Sequence, residues 1–205
     1  VHSELLRRPG KLYVLASHFH PDHFNKEVLQ WREQRPDIIY IFSKDILRHR
    51  RAQKEDAVWL KKGEEYKDET LSVRAFGSTD VGVSFLLQTG GKKIFHAGDL
   101  NNWHWMDEST EAEWKGAEKN FLHELDDLYA YTPEVDVAMF PVDPRLGKEY
   151  MRGAGQFVTK IKTHIFVPMH FTPEYAKANA FRDFAEAHGV RFVSLTHRGQ
   201  KIEIE

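Results

Sequence analysis

The chain has no cysteine. That excludes a disulfide framework and thiolate ligation, so any metal must be held by imidazole and carboxylate. It also lacks an excess of either charge. With 29 basic against 31 acidic residues and a formal charge of -2, there is no broad positive field to gather a phosphate backbone, and general nucleic-acid binding is not expected. The apolar runs are far too short to span a bilayer, and the opening VHSELLRRPG has no signal-peptide core. A soluble, cytoplasmic protein without membrane association is expected, its oligomeric state open. Repeats, low-complexity tracts and linkers are missing too. The 205 residues, 41% hydrophobic, are enough for one domain spanning 1–205 with a sizeable core.

What is present alternates between short β-like runs and amphipathic stretches. KLYVLAS predicts a buried strand, NKEVLQWREQR a helix closed by Pro36, DIIYIFS a strand and KDILRHRRAQK a helix with a basic face. TLSVRAF, GVSFLLQTG and KKIFHAG follow as strands, with TGGKK as a hairpin turn. STEAEWKGAEKNFLHELDDLYAY predicts a long helix capped at Ser109 or Thr110 and ending before Pro133. Then come VDVAMFP as a strand, GAGQFVTKIK as a helix, HIFVPMH as a strand and PEYAKANAFRDFAEAHG as a helix. VRFVSL and QKIEIE close the chain as strands. The sum is a layered α/β domain with ligand sites expected beyond strand ends.

The densest chemistry lies in SHFHPDHF, directly after the first strand. Residues two apart in extended chain point the same way, so His18 and His20 can offer imidazoles to one ion, while the turn at Pro21 redirects Asp22 and His23. One short loop can thus serve two adjacent ion sites.

This H-x-H-x-D-H run, with FHAGD supplying Asp99 and VPMH supplying His170, resembles the metallo-β-lactamase superfamily in the order of its elements over nearly the whole chain. Within that superfamily the likeness is to metal-dependent hydrolases of the ascorbate phosphate lactonase branch. The resemblance implies a four-layer αββα sandwich of two mixed sheets flanked by helices. It also implies one ion on His18 and His20, a second on Asp22, His23 and His170, and Asp99 bridging. Zinc, as one or two ions, is the implied cofactor, with manganese or iron as alternatives. The implied chemistry is hydrolysis of an ester, lactone or phosphodiester in a small-molecule substrate, with Asp22 also orienting the attacking water.

The sequence departs from the family in two places. Where the third histidine of the first ion belongs, GSTDVGVSF has Ser78; Asp80 can replace it with an oxygen, or the stretch is simply a hydrogen-bonded turn. Only 17 residues precede His18, so the first sheet is expected to be incomplete at its N-terminal side or the chain to lack residues there.

DLNNWHWMDE follows Asp99 and should lie beside the metals. Asn101, Asn102, Trp103 and Trp105 can form amide and aromatic walls, and His104 can ligate or donate a proton, or merely pack between two tryptophans. In FPVDPRLGKEY, Asp143 and Arg145 leave a buried strand; Arg145 can clamp an anionic substrate, or the pair can form a local turn. Arg48, His49, Arg50 and Arg51 are expected on a solvated helix face, and Phe181 and Phe184 against a sheet. Two other functions fit the same residues: a di-iron, dioxygen-reactive protein, or a non-catalytic metal-binding protein with a degraded first site.

Overall fold

The computed structural model describes residues 2–204. Two sheets lie face to face between helical layers. The smaller has β1 (Tyr13–Ala16), β2 (Ile39–Ser43) and β3 (Val58–Leu60), in that order and all parallel. The larger is mixed, in the order β10-β9-β8-β7-β6-β5-β4. Its members are β4 (Glu65–Lys67), β5 (Ser72–Phe76), β6 (Ser84–Thr89), β7 (Lys92–His96), β8 (Glu134–Pro141), β9 (Lys162–Met169) and β10 (Arg191–Phe192). Pairing is antiparallel from β4 to β7 and parallel from β7 to β10.

The strand period of two explains the layering. In β2, Ile39 and Ile41 face the larger sheet with Val73, Ala75 and Phe85. Tyr40 and Phe42 face outward onto Phe24, Ile46 and Trp31. The larger sheet turns Phe95, Phe140 and Phe166 the other way, onto Phe121, Leu125, Phe157 and Phe181. Those residues come from α3 (Glu111–Tyr131), α4 (Arg152–Lys160) and the residue preceding α6 (Arg182–Ala187); α1 (His2–Leu6), α2 (Lys44–Arg48) and α5 (Tyr175–Asn179) complete the helices. The β6–β7 turn is built on Gly90 and Gly91, both at positive φ (55° and 76°), which suits glycine pairs in two-residue hairpins.

Several expected elements differ. Lys26–Glu33 is a 3-10 helix, capped by the Asn25 side chain. α2 stops at Arg48, because Arg50 turns to φ 54° and the Arg51 N–H bonds back to the Ile46 carbonyl. The basic cluster therefore lies on a turn. The expected long helix near the C-terminus is broken between α5 and α6: the Phe181 N–H bonds to Ala178, and its ring turns in, 5.0 Å from that of Phe166. Phe184, 43% exposed, stacks on His188 rather than on a sheet. Residues 201–204 form no strand, and Glu205 lies outside the described residues. β3 and β4, three residues each, were too short and too polar to stand out by pattern. No helix among the described residues is long and apolar enough to cross a membrane.

Candidate metal centre

Ligand-type side chains converge where strand ends of both sheets meet. His18, fully buried, leaves β1 and is packed beneath the β5–β6 loop. The Val83 N–H donates to the Ser17 carbonyl at 3.0 Å. This approach needs glycine at 82, which sits at φ 77° and where a Cβ would fall 2.0 Å from the Ser17 oxygen. Gly98, at φ 55°, lets the segment after β7 close on Ser17 in the same way. The His20 carbonyl then accepts from His23 (3.0 Å) and Phe24 (2.8 Å). This tight turn swings His23 back over His18, with ring centroids 4.0 Å apart.

Asp99 occupies the middle. Its Oδ2 lies 3.3 Å from His18 Nε2, and its Oδ1 lies 3.1 Å from His23 Nε2 and 3.3 Å from His170 Nε2. Two groups of donors result, each within 4.8 Å: His18, His20, Asp80 and Asp99; and Asp22, His23 and His170. Asp80 stands opposite His20, its Oδ2 3.8 Å from Nδ1. Its N–H meanwhile bonds to the Ser78 hydroxyl, so the expected turn and the expected oxygen donor are both present. Asp22 is mostly exposed, 3.5 Å from His23 Nε2.

These residues fit metal ions. His18 Nε2 and Asp99 Oδ1 are buried without a hydrogen-bond partner among the described residues, a costly arrangement that a cation would relieve. The donors are all nitrogen and oxygen, the set that zinc, iron and manganese accept. Burial opposes the charge on Asp99, but the imidazoles of His170, His18 and His23 outweigh it and hold the carboxyl far below its ordinary range. Burial likewise works against charge on His170, yet Asp143 and Asp99 raise its pKa to about 9. In His23 burial wins over Asp99 and lowers the pKa.

Further groups fix these rings. Ser17 Oγ lies 3.0 Å from His18 Nδ1, and Asp143 Oδ2 lies 2.9 Å from His170 Nδ1. Such contacts set the tautomer that leaves Nε2 free for an ion. His170 itself holds φ 61°, uncommon for a non-glycine residue. A cleft of about 330 Å³ opens beside the centre, lined by His20, Asp22, Thr79, Asp80, Asp99, Trp103, Trp105, Arg145 and His170. A larger cavity of about 590 Å³, among Leu122, Met151, Phe181 and Phe184, carries none of these donors.

Four expected site residues do not reach the cleft, Asn102 among them, fully buried with its amide donating to Glu118 and Gln156. His104 is buried; its Nδ1 accepts from the Met106 N–H and its Nε2 faces the Glu149 carbonyl at 3.1 Å. With both nitrogens committed to backbone it can neither ligate nor donate a proton to substrate. Asn101 is buried against Gly153, with its Oδ1 accepting from the Asn102 N–H. Asp143 is fully buried behind His170 and Arg145, so it holds those residues rather than a substrate. Ser17 and His96 were missed: one stands next to a ligand in sequence, the other is hidden in a strand, accepting from the Gly98 N–H at 3.1 Å.

The fold is that of a known class. The family profile described as the beta-lactamase superfamily domain matches residues 4–171, and the chain belongs to that superfamily. Among solved structures it is similar to Igni18, a metallo hydrolase of Ignicoccus hospitalis (16% identity, TM-score 0.61, covering 90% of this chain and 76% of that one). It is also similar to a protein designated a metal-dependent hydrolase from Parabacteroides distasonis (16% identity, TM-score 0.59, 92% and 78%). A third is CmlA, a diiron beta-hydroxylase from Streptomyces venezuelae (14% identity, TM-score 0.57), where the match covers 90% of this chain and 44% of CmlA. No curated protein sequence matches it.

Proposed function

We propose that the protein is a metal-dependent hydrolase of small-molecule esters, lactones or phosphodiesters, working in the cytoplasm with zinc, or with manganese or iron in its place. The observation that carries this is Asp99, whose two oxygens face two separate groups of imidazoles while buried donor atoms go unpartnered. In this reading His18, His20 and Asp80 hold one ion, Asp22, His23 and His170 the other, and Asp99 both. When bound, the ions acidify water and polarise the carbonyl or phosphoryl oxygen under attack. Asp22, at the mouth of the cleft, accepts a proton from the attacking water and orients it. In the ester case water adds to the acyl carbon, the acyl–oxygen bond breaks, and the alcohol leaves with a proton. A cleft of about 330 Å³ suits a small substrate.

One observation favours a second reading. With Ser78 where the family has a histidine and Asp80 offering an oxygen in its stead, the first group has two carboxylates to two imidazoles, which suits iron or manganese better than three imidazoles would. The likeness to a diiron beta-hydroxylase lends support to a dioxygen-reactive iron centre.

Metal analysis with an activity panel separates the two. The wild type should bind two ions and hydrolyse at least one ester, lactone or phosphodiester, and Asp99→Ala should lose metal and hydrolysis together. Unchanged metal content in that variant would remove the bridging role. Dioxygen uptake by the iron-loaded protein, without hydrolysis, would favour the second reading.

A further inference from the structure

Arg145 leaves the β8 end within a short 3-10 segment, Pro144–Glu149, and lines the cleft with Trp103 and Trp105. Asp143 takes its Nε at 3.0 Å to both carboxylate oxygens and its Nη2 at 2.6 Å. A guanidinium carries five N–H donors in a planar fork. With Nε and one Nη2 hydrogen spent on Asp143, the edge formed by Nη1 and the second Nη2 hydrogen remains to be used. A fully buried carboxylate holds that edge in place, so little further ordering is needed when an acceptor arrives. Nη2 lies 3.4 Å from His170 Nδ1, which puts the guanidinium one imidazole away from the metal centre. Among the described residues no other Lys or Arg lines the cleft.

Two tryptophans line the same cleft. The Trp103 and Trp105 rings lie 16° from parallel with centroids 6.3 Å apart. Trp103 Nε1 donates to the Asp99 carbonyl at 2.8 Å. The Trp105 backbone is set at φ 44°, and its carbonyl accepts from the N–H groups of Glu108 and Ser109. Trp103 is pinned by its bond to Asp99 and Trp105 stacks on it, so the pair offers aromatic surface at little ordering cost.

We propose that the substrate is a small planar ester or lactone carrying a carboxylate, which lies bidentate on the free edge of Arg145 while its ring lies along Trp103 and Trp105. The chemistry rests on the hydrolase reading above; the binding geometry stands on Arg145 and the tryptophans. Carboxylate and guanidinium are both planar and match as two parallel N–H···O bonds.

Three aryl acetates test this on the metal-loaded protein: carboxyphenyl acetate, its methyl ester twin and a phosphate-bearing analogue. Hydroxybenzoate binding, read by quenching of tryptophan fluorescence, gives a measure independent of turnover. The wild type should favour the carboxylate over its neutral twin by roughly tenfold to a hundredfold in kcat/KM, mostly through KM. Arg145→Met should bring that ratio to about one and abolish the quenching, and Arg145→Lys should restore part of both. Equal rates for the twins in the wild type, or a preference that survives in Arg145→Met, would overturn the proposal and leave the hydrolase reading intact. A stronger preference for the phosphate analogue would overturn the choice of carboxylate. Arg145-dependent quenching without turnover of any probe would uphold the binding geometry and count against hydrolysis.

Discussion

Asp143 shows how much one buried carboxylate can govern without touching a substrate. It accepts from Arg145 and lies 2.9 Å from His170 Nδ1, so it fixes a ligand and a cleft residue at once. Burial works against its charge, yet His170 and Arg145 hold its pKa down to about 2, and it stays ionised at neutral pH. Replacing Asp143 with Asn removes the charge while keeping the shape. Metal affinity should fall about 10- to 100-fold, as read by competition with a chromophoric chelator; an unchanged affinity would make Asp143 a support for its turn alone. The sequence reveals the ligands more readily than such partners. His18, His20, Asp22 and His23 stand together at one strand end, and their density is the signal. Asp143 meets His170 across 27 residues, and His104 meets Glu149 across 45. Local patterns cannot show which loop a side chain finds in space, so the sequence leaves His104 open between packing and chemistry, and Asp143 between a local turn with Arg145 and a substrate contact.

At the level of elements, α3 does more than cover the sheet. Its start is readable in the sequence, since Thr110 and Glu113 form a reciprocal capping box, and its end falls before Pro133. Its middle carries Glu118, which bonds Arg152 and Gln156 of α4 and Asn102 of the loop after Asp99. One carboxylate thereby ties two helices to the segment bearing Trp103. The Arg152 guanidinium chiefly lowers its pKa, to about 2, against the effect of burial. Because the folded value is depressed, its contribution is complete above about pH 4.5 and is lost as pH falls towards 2. Glu118→Ala should cost about 1–3 kcal/mol in urea unfolding near neutral pH, with less difference from the wild type in strong acid. A constant difference across that range would show that packing, not charge, was lost. The helices that the sequence did not delimit, α2 and the α5–α6 pair, end at turns set by Arg50 and Phe181, where tertiary packing overrides helical periodicity.

For the molecule as a whole, the two sheets are joined by apolar contact and by the cluster of candidate metal donors, which come from strand ends and loops of both. Hydrophobic alternation made the layers legible, because each strand declares two faces. It could not set how closely the sheets approach, and His96 sits at that boundary. Its ring faces a cavity of about 150 Å³ between the sheets, lined by Leu15, Phe85, Leu87, Ile94 and Met139. Its Nδ1 accepts from the Gly98 N–H, so the proton of the neutral ring is on Nε2. Burial above all, with His23 adding to it and Asp99 partly opposing, lowers its pKa from 6.5 to about 4. In the unfolded chain His96 takes up a proton near its ordinary pKa, while in the fold it does so only near 4. Its contribution to stability is therefore whole above about pH 6.5 and drains away as the pH falls through the folded value. The full loss amounts to roughly 3 kcal/mol. His96→Asn keeps an acceptor for Gly98 and removes the titration. Measured by urea unfolding with a chelator present, so that metal release does not contribute, the wild type should lose about that much more stability than His96→Asn between roughly pH 7 and pH 4. His23, whose pKa is also lowered, remains in both proteins, so the difference reports His96 together with its coupling to His23. Parallel pH profiles would mean that the space between the sheets admits enough water to solvate the imidazolium.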